Sequence, residues 1–110
     1  PRREDARLLV GRGTFVDDVV VPGMMHAAFH RSTIAHGNIL SIDAEAALKL
    51  PGVFAVITAK DLEPLNLGTL NGFPVPDQVT LHVPPLAPGR VLHVGDPVAL
   101  VLAESRRVAD

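Results

Sequence analysis

The stretch Val98 to Ala103, VALVLA, constrains this chain more than any other. It is the longest uninterrupted apolar run, far short of the roughly 20 residues a membrane-spanning helix needs. A half-solvated strand would show a polar residue at every second position. This run shows none, which predicts a central strand covered on both sides, with Val98, Leu100 and Leu102 buried. The implied class is a layered α/β (α+β) fold. The chain has 110 residues, 47% apolar and 20% charged, so one globular domain over residues 1–110 is expected. With no Trp, no Tyr and four Phe, its core must be aliphatic.

Other segments take their places around that strand. Residues 1–12 are charged and read as irregular or a short turn. TFVDDVVV (14–21) is β-branched and stops at the Pro22-Gly23 turn signal, so it reads as extended. MMHAAFHRS (24–32) predicts a strand, with Met24, His26, Ala28 and His30 on one face. GNILSID (37–43) predicts a short strand, Asp43 an N-cap, and AEAALKL (44–50) a helix stopped by Pro51-Gly52. VFAVIT (53–58) predicts a buried strand, so residues 37–58 read as a β-α-β run. TAKDL (58–62) predicts one helical turn with Thr58 and Asp61 in a capping box. Residues 63–90 hold six of the ten prolines, which predicts an irregular, mobile segment with a short strand at 79–83. RVLHVGDPVALVLAES (90–105) predicts two strands, and Ser105 caps a final helix at 106–110. A start at Pro1 and an end about one turn into a helix suggest a fragment of a longer chain.

Composition excludes several function classes. A net charge of −2 and scattered basic residues give no footprint for nucleic acid or a membrane surface. There is no cysteine, so no disulfide, thiol nucleophile or cysteine-held iron–sulfur cluster belongs to this chain. That composition fits a reducing compartment, and the expected location is cytoplasmic.

The candidates for chemistry are weak ones. In GRGTFVDD (11–18) two glycines flank Arg12 and an acid pair follows. Phosphate loops need their glycines between a strand and a helix N-terminus, whereas an extended run follows here. The stretch therefore reads as a turn into a strand. Asp17 and Asp18 would point to opposite strand faces and read as turn caps. The histidines are His26, His30, His36, His82 and His93. His26 and His30 have the spacing of helical zinc ligands, but on a strand they would stand roughly 13 Å apart. No catalytic, cofactor-binding or metal-binding residue is therefore assigned.

The order of short motifs is more informative than any one of them. They are Arg3-Glu4-Asp5, Gly11-Arg12-Gly13 with Phe15 and Asp17-Asp18, Pro22-Gly23-Met24, Arg31-Ser32 with Ala35-His36, and Ser41-Ile42-Asp43. Pro51-Gly52-Val53, Thr58-Ala59-Lys60-Asp61-Leu62 and VGDPVALVLAES follow. Together they cover nearly the whole chain. In this order the chain resembles the N-terminal segment of the large, molybdenum-binding subunit of the xanthine dehydrogenase, aldehyde oxidase and carbon monoxide dehydrogenase family. The opening motifs are most similar to the carbon monoxide dehydrogenase type.

The resemblance implies an α/β-hammerhead domain: a mixed sheet, one or two helices and a long irregular β excursion. It implies a parent oxidoreductase that hydroxylates an aldehyde, a purine-like heterocycle or a related substrate such as carbon monoxide. Implied parent cofactors are molybdopterin with its molybdenum, and iron–sulfur clusters and FAD on other domains or subunits. The implied partners are the molybdopterin-binding domain of the same chain and the iron–sulfur and FAD subunits. No family site residue maps onto this chain, so the role implied is a scaffold, and the isolated domain is expected to self-associate. A stand-alone binding module that reuses the fold is the alternative.

Overall fold

The computed structural model describes residues 3, 5–67 and 83–110. The helices are α1 (Asp5–Leu9), α2 (Glu45–Leu48), α3 (Ala59–Leu62) and α4 (Arg106–Ala109). The strands are β1 (His26–Arg31), β2 (Gly37–Asn38), β3 (Val53–Thr58), β4 (Arg90–Val91) and β5 (Pro97–Ala103). One sheet has the order β1-β5-β3, and β2 pairs with β4 in a second. So VALVLA is a central strand, as its sequence predicts. The class is α/β, and the mixed sheet implied by the resemblance is corrected in one respect: every pairing among the described residues is antiparallel.

The β-α-β reading of residues 37–58 is also corrected. α2 does lie between β2 and β3, but the two strands belong to different sheets. β2 is limited to Gly37–Asn38 because its partner is the two-residue β4, with Gly37 opposite Val91 and Asn38 opposite Arg90. α2 is shorter than predicted. Asp43 still helps to start it, accepting from the Glu45 N–H at 3.0 Å, though the cap position falls on Ala44. Lys49 and Glu45 pair at 3.2 Å one turn apart.

Three other segments bear on the sequence reading. Of the two readings of residues 1–12, irregular or a short turn, residues 5–9 take the second, as a helical turn. TFVDDVVV is not a strand: Val16–Asp18 make a 3₁₀ turn, because the Asp18 carboxylate takes the Phe15 N–H at 2.9 Å and bends the chain. The segment 63–90 begins with a 3₁₀ turn at Glu63–Leu65, and most of it, with the strand predicted at 79–83, lies outside the described residues except Val83. Its last part is firmly held. Leu86 is 2% exposed and Ala87 donates to the Pro97 carbonyl at 2.8 Å.

The capped turns follow the sequence closely. Asp61 Oδ2 accepts from both the Thr58 N–H and the Thr58 hydroxyl, each at 2.7 Å, at the start of α3. Ser105 Oγ accepts from the Val108 N–H at 3.4 Å at the start of α4.

Packing departs most from expectation. The apolar residues buried among those described are Leu86, Ala87, Val91, Ala99, Ala103 and Ala109. Val98, Leu100 and Leu102, expected to be buried, are only half-buried. β3 is likewise half-buried, and it is a sheet edge with Phe54 60% exposed. The run is apolar on both faces because both faces carry apolar neighbours, yet the described chain covers neither fully. Pairing register places Phe29, Leu100 and Ile57 in one cross-strand row, and Ala28, Val101 and Val56 in the adjacent row on the opposite face.

Candidate functional site

The stretch GRGTFVDD is a helix stop followed by a capped turn. Arg12 donates to the Arg7 carbonyl at 2.8 Å and Gly11 to the Leu8 carbonyl at 3.1 Å. With Gly11 at φ +69°, this is a Schellman motif closing α1, and the left-handed position requires the glycine. Asp18 is occupied by the Phe15 N–H. Asp17 faces Arg106 at 3.8 Å with both side chains exposed, a contact of little energetic weight. A phosphate-binding loop offers free N–H groups and positive charge. Here the Phe15 N–H is already taken by a carboxylate, and a second carboxylate stands beside it.

The histidines do not converge. His26 and His30 sit on β1 in the same strand orientation, opposite Ala103 and Ala99. His36 lies exposed in the bend before β2, and His93 lies in the turn before β5, its Nδ1 3.8 Å from Asp96 Oδ2. His82 is outside the described residues. Among the described residues, no three His, Asp or Glu side chains are grouped to hold a metal ion.

What the structure does bring together is apolar surface. Two adjoining depressions of about 240 and 350 Å³ share Ile39, Ser41 and Ile42 along the strand-like approach to α2. The first is closed by Thr58, Lys60, Glu63 and the Ala87–Gly89 turn. The second is lined by Val56, Val98, Ala99 and Val101 of the sheet, by Ala44 at the cap of α2 and Ala47 within it, and by the polar His30 and Asp43. The Thr58 hydroxyl inside the first is already committed to Asp61. That bond, with the Thr58 N–H, holds the Asp61 carboxyl below its usual pKa.

Large apolar side chains stand in water, among them Leu40, which lines the first depression of this trough. Leu40 is 93% exposed, and Leu48, Leu50, Leu65 and Leu67 are all more than half exposed. A second group, Leu9, Val10, Phe15, Val16, Val20 and Val21, is exposed along the N-terminal segment. Soluble monomers rarely leave large apolar patches open, so exposed apolar surface is the candidate functional feature here. Exposed apolar surface fits the expected self-association, but its place was not legible in the sequence, because an apolar residue facing a partner and one facing a core look alike. No helix among the described residues is long and apolar enough to cross a membrane.

Residues 10–110 match the family described as aldehyde oxidase and xanthine dehydrogenase, a/b hammerhead domain. The chain is 44% identical over 110 residues to the nicotine 6-hydroxylase large subunit of Paenarthrobacter nicotinovorans, covering 100% of this chain and 14% of that one. It is 46% identical over 108 residues to the carbon monoxide dehydrogenase large chain of Afipia carboxidovorans, covering 98% of this chain and 13% of the other. Among solved structures it is similar to the quinoline 2-oxidoreductase of Pseudomonas putida, with a TM-score of 0.88, 44% identity and coverage of 98% and 14%. It is also similar to the copper- and molybdenum-containing carbon monoxide dehydrogenase, with a TM-score of 0.85, 46% identity and coverage of 99% and 13%. The chain thus spans about one seventh of the length of these relatives. By sequence and by fold, the chain belongs to the aldehyde oxidase and xanthine dehydrogenase family, as its a/b hammerhead domain.

Proposed function

We propose that these 110 residues are a single structural domain of a molybdenum hydroxylase large subunit, and that they scaffold the cofactor-bearing remainder without supplying a catalytic, cofactor-binding or metal-binding residue. The observation that carries this reading is the combination of a small, mostly alanine core with large apolar side chains left in water. A domain that completes its packing against a larger body has this distribution. Identity of 44–46% over nearly the whole chain to large subunits several times its length supports the same reading.

Among the described residues, none of the arrangements fits a phosphate-bearing pterin cofactor. Such a group needs converging N–H donors or a basic cluster. The glycine turn offers the reverse, with its Phe15 N–H bound by Asp18 and Asp17 adjacent. The trough is lined mainly by aliphatic side chains, and its Thr58 is committed. In this reading molybdopterin belongs to the rest of the parent chain, and iron–sulfur clusters and FAD to other domains or subunits, which are the domain's partners. The parent hydroxylates an aldehyde, a heterocycle or a related small substrate, in the cytoplasm. Separated from those partners, the chain self-associates through the same apolar surface, and its sedimenting mass should grow with concentration.

The test is to purify the native protein with an antibody raised against this chain. A polypeptide of the relatives' length that carries molybdenum is expected. A polypeptide of about this chain's own length, free of molybdenum, overturns the reading in favour of a stand-alone module.

A further inference from the structure

The turn between β4 and β5 is built with more hydrogen bonds than a connection of its length needs. Past the bulge where Arg31 pairs with Pro97, the ladder continues: Gly95 donates to the Ser32 carbonyl at 2.8 Å and Ser32 to the Asp96 carbonyl at 2.9 Å. Within the turn, Leu92 donates to Asp96 Oδ2 at 2.9 Å and Asp96 to the His93 carbonyl at 3.2 Å. From β1, Arg31 Nη1 donates to the Gly95 carbonyl at 2.9 Å. Its guanidinium lies 5.2 Å from the centroid of the Phe29 ring, which fixes the arm that holds the turn. Together these bonds leave the turn little freedom.

What this rigid turn presents to water is apolar. Leu92 is 66% exposed and Val94 is 63% exposed. Chain that must merely connect two strands is usually polar and mobile. Fixing two aliphatic side chains outward instead removes the ordering cost of a contact before it forms.

We propose that the turn 92–95 is a preformed knob that seats Leu92 and Val94 in an apolar socket on the remainder of the same large subunit. This rests on the scaffold reading above. The occupant is the same chain because relatives of the family continue well beyond the matched residues, and a covalently tethered surface meets the knob at high effective concentration. A neutral, aliphatic tip fits a dry socket rather than a charged or nucleic-acid surface.

The experiment places single cysteines in the full-length large subunit, alone and in its assembled complex, and follows maleimide labelling by peptide mass. Leu92→Cys and Val94→Cys are compared with Lys49→Cys on the charged face of α2 and with Leu40→Cys in the trough. Oxidative footprinting of the unsubstituted protein reads Leu92 and Val94 directly, so the result stands even if a variant misfolds. The expected result is labelling at 92 and 94 slowed by about tenfold or more relative to 49 in the subunit alone, since reaction then requires local opening. Free labelling at 92 and 94 with protection at 40 overturns the knob and leaves the scaffold reading intact. Protection that arises only in the assembled complex assigns the socket to another subunit and also overturns it. Free labelling at 40, 92 and 94 alike overturns both.

Discussion

Glu104 donates its backbone N–H to the Gly52 carbonyl at 2.8 Å, and its carboxyl group fills the space a Cβ on Gly52 would enter, at 2.7 Å. This contact joins the turn before β3 to the end of β5. Gly52 holds φ at +90°, a conformation that side chains resist.

Gly52→Ala is therefore expected to destabilise the chain by about 1–2 kcal/mol, mainly through backbone strain. The Glu104 side chain is flexible and can swing aside. Adding Glu104→Ala to Gly52→Ala should then recover little of the loss. Urea unfolding of the single and double variants measures this, and full recovery in the double variant would reassign the cost to steric conflict.

On the central strand the small residues are packed tightly and the large ones are not. Ala103 is 0% exposed, so Ala103→Leu is expected to cost about 1–3 kcal/mol by overpacking. Leu100 is half-buried, so Leu100→Ala should cost about 1 kcal/mol in the isolated chain, below the roughly 2–5 kcal/mol of a fully buried leucine. If another domain covers the row Phe29–Leu100–Ile57, the Leu100→Ala cost rises in the full-length subunit. Thermal unfolding of both forms makes the comparison.

The pairing of Asp61 with Thr58 sets a pH dependence. The folded state holds the Asp61 carboxyl below its ordinary pKa of 3.8, chiefly through the Thr58 hydroxyl and then the Thr58 N–H. A group lowered by folding stabilises above the unfolded pKa and loses that contribution as pH falls through the folded one. The difference in unfolding midpoint between the chain and Asp61→Asn should thus be constant near neutrality and shrink below pH 3.8. A difference that grows with acidity would contradict the assignment.

Local signals were the legible ones. Thr58 with Asp61, Ser105 before Arg106, and the strands 53–58 and 97–103 each announce themselves within a few residues. The Schellman stop at Gly11 and the Asp18 cap on Phe15 were also written locally, in an acid three residues after Phe15, but β-branched density at 14–21 outweighed them. The partnership of β2 with β4 was not legible, since Gly37 and Val91 are brought together by everything between them. Nor was the exposure of Val98, Leu100 and Leu102. Their apolarity gives the character of what should cover them and not whether this chain supplies it. The trough is hidden for the same reason.

The claim that this domain scaffolds without taking part in chemistry is tested most directly in the assembled enzyme. His36 and Asp18 are polar groups of the family-like motifs that no core requires. Turnover per bound molybdenum is measured for His36→Ala, Asp18→Asn and the double variant. Turnover equal to that of the unsubstituted enzyme is expected in all three. A fall of about 10²–10⁴-fold with molybdenum retained, the contribution of a positioned acid or base, would contradict it.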